Sequence, residues 1–173
     1  RNGIYVCDFY NMLQNYNRHN EKWRKIWGKE DAAERDMEML LRLCALRRYT
    51  GIKRKDAGNF DFTIEEYHSS YGKLLDKFSE TAMKFSADQI EEYQNSLVHF
   101  FDLFEVNITQ SSKVALLEKL GVDKPITSAI YEQILKDSKY ISYARQGTVK
   151  MKSMNERWKT VYEIWVRHDG AHD

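Results

Sequence analysis

The stretch Arg35-Asp36-Met37-Glu38-Met39-Leu40-Leu41-Arg42-Leu43-Cys44-Ala45-Leu46 sets the fold. Its acids stand in the opening turns, a run of apolar residues follows, and Arg47 and Arg48 come just after it. A helix macrodipole favours that order, negative charge at the N-terminal end and positive at the other. The pattern predicts a helix from about Asp31 to Tyr49. On either side the same period recurs. Tyr5, Phe9, Met12, Leu13 and Tyr16 fall at helical spacing and predict a first helix ending near Asn17. Trp23, Ile26 and Trp27 make one face of a short second helix that stops near Gly28. Residues 50–62, with Gly51, Gly58 and the run Lys53-Arg54-Lys55, read as a surface loop.

Capping boxes punctuate the rest of the chain: Thr63-Ile64-Glu65-Glu66, Ser86-Ala87-Asp88-Gln89 and Ser153-Met154-Asn155-Glu156. In each, a hydroxyl can accept from the amide three residues on while that residue's side chain reaches back. Gly121 and Gly147 stand where preceding helices need a left-handed terminator, and Pro125 marks a break. Phe100-Phe101-Asp102-Leu103-Phe104 could be a strand, but it continues the helical pattern Ile90, Tyr93, Leu97, Phe101 and is read as helix. The expected fold is all-α: one irregular array of about eight helices over residues 1–167, without significant sheet, and a frayed tail over 168–173.

Composition agrees. The 173 residues suffice for one domain with a real core, and 1 Pro and 8 Gly are few for a β-sandwich. With 27 Lys+Arg against 26 Asp+Glu, the global charge gives no argument for nucleic acid. Cys7 and Cys44 sit in apolar patterns far apart and read as reduced and buried. No apolar run approaches about 18 residues, so no membrane partner is expected and a cytoplasmic location is the default. The chain opens on Arg1 and so reads as a fragment.

Three segments carry a resemblance: Arg1-Asn2-Gly3-Ile4-Tyr5, then Asp36, Glu38 and Arg42 within the quoted helix, then Gly147-Thr148 followed by Arg157. Their order and rough spacing resemble the helical second half of the GmrSD-type restriction endonuclease N-terminal domain, a ParB/sulfiredoxin-like family. The resemblance covers roughly residues 1–160. The family's catalytic D-G-Q-Q-R motif does not occur here, nor does an H-N-H nuclease pattern. The resemblance therefore implies a helical part of a modification-dependent anti-phage restriction protein without a complete active site. It implies ATP or GTP as cofactor of the intact protein and none in this part. The implied partners are DNA, an α/β half preceding these helices, and a nuclease domain or subunit. A protein-interaction or oligomerisation module, docking a separate subunit or a second copy, is the reading from another class.

Local charge qualifies the neutral total. Between Arg42 and Lys55 stand six bases and no acid, while residues 86–111 hold Asp88, Glu91, Glu92, Asp102 and Glu105 without a Lys or Arg. Arg145, Lys150, Lys152, Arg157 and Lys159 cluster around the connector at Gly147, with Glu156 the one acid. Arg47, Arg48, Lys53 and Arg54 on one element, and Lys150, Lys152 and Arg157 on the other, are the phosphate-contact candidates. A DNA-tracking surface requires that both groups face one side, with the acidic segment turned away. The bland alternatives are a solvated loop and a hinge without a ligand, and for Arg157 an internal salt bridge. Glu38 and Arg42 fit an intrahelical pair, whereas the resemblance implies that Arg42 orients the missing nucleotide or phosphate site or clamps the α/β half. His168 and His172 could hold a metal only with further ligands, so no metal site is expected. Trp23 with Trp27, and Trp158 with Trp165, read as core stripes.

Overall fold

The computed structural model describes residues 7–65, 67–103 and 127–167. Its backbone is mostly helical, as the periodicity requires. Helix α1 spans Asp8–His19, α2 Glu21–Trp27 and α3 Arg35–Tyr49. After a two-stranded hairpin come α4 (Tyr71–Ala82) and α5 (Ala87–Asp102), then α6 (Ser128–Lys136), α7 (Ser138–Arg145) and α8 (Met151–Tyr162). Helix α8 runs on into a π-helical turn, Glu163–Arg167.

Each apolar stripe is buried. Helix α1 turns Phe9, Leu13 and Tyr16 inward, and α3 buries Leu40, Leu41, Leu43, Cys44, Ala45 and Leu46. Phe9, Phe78, Phe85 and Tyr93 join α1, α4 and α5 through edge-to-face and stacked contacts of 5.2–5.8 Å. Such pairs add about 0.5–1.5 kcal/mol each to the burial of their area. Trp23, Trp158 and Trp165 are fully buried, as their stripes predict, while Trp27 is half-buried. Cys44 is buried and Cys7 partly so, both as free thiols.

The capping box at Ser86 forms in full: its hydroxyl accepts from the Gln89 amide, and the Gln89 side chain accepts from the Ser86 amide. The other two boxes do not. Thr63 lies in a strand, and α4 is capped by Ser70 instead. Helix α8 starts two residues ahead of Ser153, which is buried in its first turn.

Residues 50–62 are not the expected loop. Strand β1 (Thr50–Arg54) continues α3 without a break and pairs antiparallel with β2 (Phe60–Ile64), in the register Ile52↔Phe62 and Lys53↔Asp61. A short 3₁₀ turn, Asp56–Gly58, joins them. The alternation Phe60, Phe62, Ile64 inward against Asp61 and Thr63 outward is a strand signal of period two. The basic run and the two glycines mask it. Phe62 packs edge-on against Trp158, and Phe60 against Tyr162, so α8 closes over β2. The hairpin is thus part of the core rather than an appendage. The segments around Tyr5, Gly121 and Pro125 and the tail 168–173 lie outside the described residues.

Candidate functional site

Asp36 opens α3 and is 1% exposed. Its carboxylate accepts from the Arg24 guanidinium at 3.0 Å, from the Asn17 amide at 3.2 Å, and from its neighbour Met37's backbone N–H at 2.9 Å. Asn17 in turn accepts from the Trp23 indole at 2.7 Å. Burial alone would raise the Asp36 pKa. The hydrogen bonds from Arg24, Met37, Asn17 and Asp31 together outweigh it and hold the carboxyl below its ordinary value. The network locks α1, α2 and the start of α3 together. The acceptor oxygens of Asp36 are therefore met by donors from within the fold.

Glu38 and Arg42 make a long ion pair of 4.0 Å along α3. The Arg42 guanidinium lies 4.2 Å from the centre of the Tyr71 ring, a cation–π contact, and its Nε is buried without a partner among the described residues. The Tyr71 hydroxyl donates to the Met154 sulfur, and the Tyr67 hydroxyl to the Val149 carbonyl. Burial, then the neighbouring Tyr71, pushes the Tyr67 phenol up to about 12. Arg42 thus reaches, through Tyr71, the start of α8.

Gly147, Thr148 and Arg157 also meet. Gly147 takes φ +57°, the left-handed turn expected after α7. That turn brings the Thr148 carbonyl to 2.7 Å from one Arg157 nitrogen, while the other donates to the Tyr143 carbonyl at 2.7 Å. Arg157 is 2% exposed. The sequence puts it on the phosphate-contacting surface, and the structure removes it from there: it caps the C-terminal end of α7 from inside. Its partners are carbonyls, not the acid of an internal salt bridge.

The remaining cations divide. Arg48 hydrogen-bonds Tyr93, the main cause of its raised pKa, and its guanidinium stands 5.3 Å from the Phe85 ring. It is therefore directed toward α5. Arg47 is half-buried and has a partner of its own. Lys53, Arg54, Arg145, Lys150 and Lys152 are exposed and, among the described residues, without an ion pair.

A polar seam relates these free cations. Asn155 accepts from the Phe62 backbone N–H at 2.8 Å and donates to the Asp61 carboxylate at 3.0 Å. Lys159 and Lys55 reach the same carboxylate at 3.2 and 2.5 Å. Lys55, then Asn155, with Lys159 also contributing, hold Asp61 well below the ordinary carboxylate range against the opposing effect of burial. Lys53 is the cross-strand partner of Asp61 and shares its face of the hairpin. Lys152 precedes Asn155 by three residues and Lys159 by seven, so it shares their face of α8. Lys53 and Lys152 accordingly flank one seam, with Lys150 and Arg145 at the adjoining turn and Arg54 near the hairpin tip. The exposed acids Asp88, Glu91 and Glu92 stand on α5, which packs on α1 and α2. Asn155 is hidden in the sequence, because its surroundings have the form of a capping box.

Among the described residues no group of three or more His, Cys, Asp or Glu side chains could hold a metal ion. No described helix is long and apolar enough to cross a membrane. No family model, curated protein or solved structure matches the chain.

Proposed function

We propose that this chain is a helical module that contacts the phosphate backbone of duplex DNA through the flank formed by β1, the α7–α8 turn and the start of α8. The observation that carries the reading is the occurrence at this flank of five exposed cations, Lys53, Arg54, Arg145, Lys150 and Lys152, that have no carboxylate partner among the described residues. The exposed lysines Lys22, Lys55 and Lys139 are paired, with Asp102, Asp61 and Glu156, whereas Lys25, Lys29, Lys73, Lys84 and Lys136 are exposed and, among the described residues, also without an ion pair, so what sets the five apart is their place at one flank. A phosphate backbone needs such unpaired cations, because each contact releases a condensed counterion. The role in this reading is positioning: no described side chain is assigned to chemistry or to reading base edges. The wider setting, a helical part of a modification-dependent restriction protein serving a nucleotide-hydrolysing α/β half, rests on the resemblance alone.

The test is fluorescence anisotropy of a labelled duplex titrated with the chain, repeated between about 50 and 200 mM salt. With five contacts, the slope of log affinity against log salt is expected near −4.5, at about −0.9 per phosphate neutralised. A flat slope overturns the DNA reading and leaves the interaction module.

A further inference from the structure

One cleft adjoins the DNA-facing flank at Arg145 and runs inward from it. Helices α6, α7 and α8 enclose a space of about 470 Å³, whose lining includes Leu135, Tyr140, Ile141, Ala144, Arg145 and Arg157. Its walls are mixed, with Leu135, Tyr140, Ile141 and Ala144 on one part and Arg145, Thr148 and Arg157 on the other, and Leu135 is 41% exposed, high for a leucine beside a core. Among the described residues both of its charged lining groups are cations.

Arg157 makes this unusual. Its side chain is nearly sealed from solvent, and its Nε has no partner among the described residues. The two carbonyls it meets supply dipoles and no formal charge. Arg24, by contrast, meets Asp36, and the adjacent Glu156 pairs with Lys139. A buried cation costs several kcal/mol in order of magnitude unless an anion or equivalent dipoles compensate it. The end of α7 offers about half a negative charge. The remaining positive potential falls on a cleft whose low-dielectric walls strengthen it.

We propose that this cleft binds a small amphipathic organic anion. Its apolar body lies against Leu135, Ile141 and Ala144, and its single anionic head is held between Arg145 at the rim and the potential of Arg157 behind. The ligand class follows from the lining: Leu135, Ile141 and Ala144 favour an organic body over a bare inorganic ion, and the two arginines favour an anionic head over a neutral or cationic one. The site shares Arg145 and the α7–α8 turn with the DNA-facing flank, but its apolar lining and Arg157 take no part in that reading, and ligand binding can be tested without DNA.

Octanoate and octanol are the probes, titrated into the full chain by calorimetry. Octanoate is expected to bind about tenfold or more tighter than octanol, the effect of one charge-assisted contact. Ala144→Glu and Leu135→Glu each place a carboxylate at an exposed lining position, and each should abolish that preference. Val98→Glu, an exposed apolar position on α5, should keep it. Arg157→Met should also remove the preference, but Arg157 caps α7, so the two exposed variants carry the test if it does not fold. Equal affinity for octanoate and octanol overturns the proposal. So does an octanoate affinity that survives Ala144→Glu and Leu135→Glu, or that Val98→Glu lowers equally.

Discussion

At Asp36 a single carboxylate decides whether three helices meet. Replacing it by Asn keeps the shape but leaves the Arg24 charge unanswered, and sets an amide beside the Asn17 amide donor. Breaking a fully buried pair costs about 3–5 kcal/mol. Arg24 is 19% exposed and retains the Asn17 carbonyl, so a loss of about 2–3 kcal/mol is expected for Asp36→Asn. Its pH dependence has a definite sign. The folded-state pKa of Asp36 lies below its unfolded value, so the unfolded chain binds the proton more tightly. The contribution is full above the unfolded pKa of about 3.9 and is lost as pH falls through the folded value. Urea midpoints measured from neutral pH downward should show a constant gap between the natural chain and Asp36→Asn that closes below about pH 4. A gap that widens on acidification contradicts this account. The sequence marks Asp36, Arg42 and Arg157 as positions of interest, and the structure supplies a local reason for each: all three answer backbone or side-chain groups within the fold. Their partners are not legible in the sequence, because Arg24, Tyr71 and Tyr143 stand 12, 29 and 14 residues away.

The hairpin is the element that periodicity misses. Helices announce themselves over ten or more residues, whereas β2 offers five, interrupted upstream by a basic run and two glycines. Its stability is not local either. The outward Phe62 N–H, which an edge strand would expose, is met by Asn155 from α8, and the Asn155 amide also holds Asp61. One side chain thereby imitates a neighbouring strand. Asn155→Ala should strand a buried N–H and cost about 1–3 kcal/mol. The Phe62 amide should then exchange hydrogen faster than in the natural chain, while amides within α1 and α3 slow or quicken only with global stability. Uniform acceleration throughout the chain would mean that Asn155 does not act through the strand edge. Ser86 shows the opposite case: every partner lies within four residues, so its capping box is legible as written.

Across the whole molecule the neutral total hides a division of labour among cations. The two basic segments look alike in sequence, a count of like charges within a short window. Folding sorts them by what lies opposite. Arg48 meets aromatic rings on the α4–α5 side, Arg157 is drawn inside, and Lys53 and Lys152 remain free beside the Asp61 seam. This separation gives a sharper test than reversing any two bases. Lys53→Glu with Lys152→Glu should weaken duplex binding uniformly across sequences and flatten the salt slope by about 1.8, two phosphate contacts' worth. Thermal stability should change little, since both side chains are exposed and unpaired. Arg48→Glu should behave in the reverse manner. It removes the hydrogen bond to Tyr93 and the contact with Phe85, and it adds a carboxylate facing a helix already rich in acid, so stability should fall while the salt slope holds. If Arg48→Glu instead flattens the slope as much as the double change does, the phosphate-facing side includes the end of α3. The flank argued from the seam would then be drawn in the wrong place.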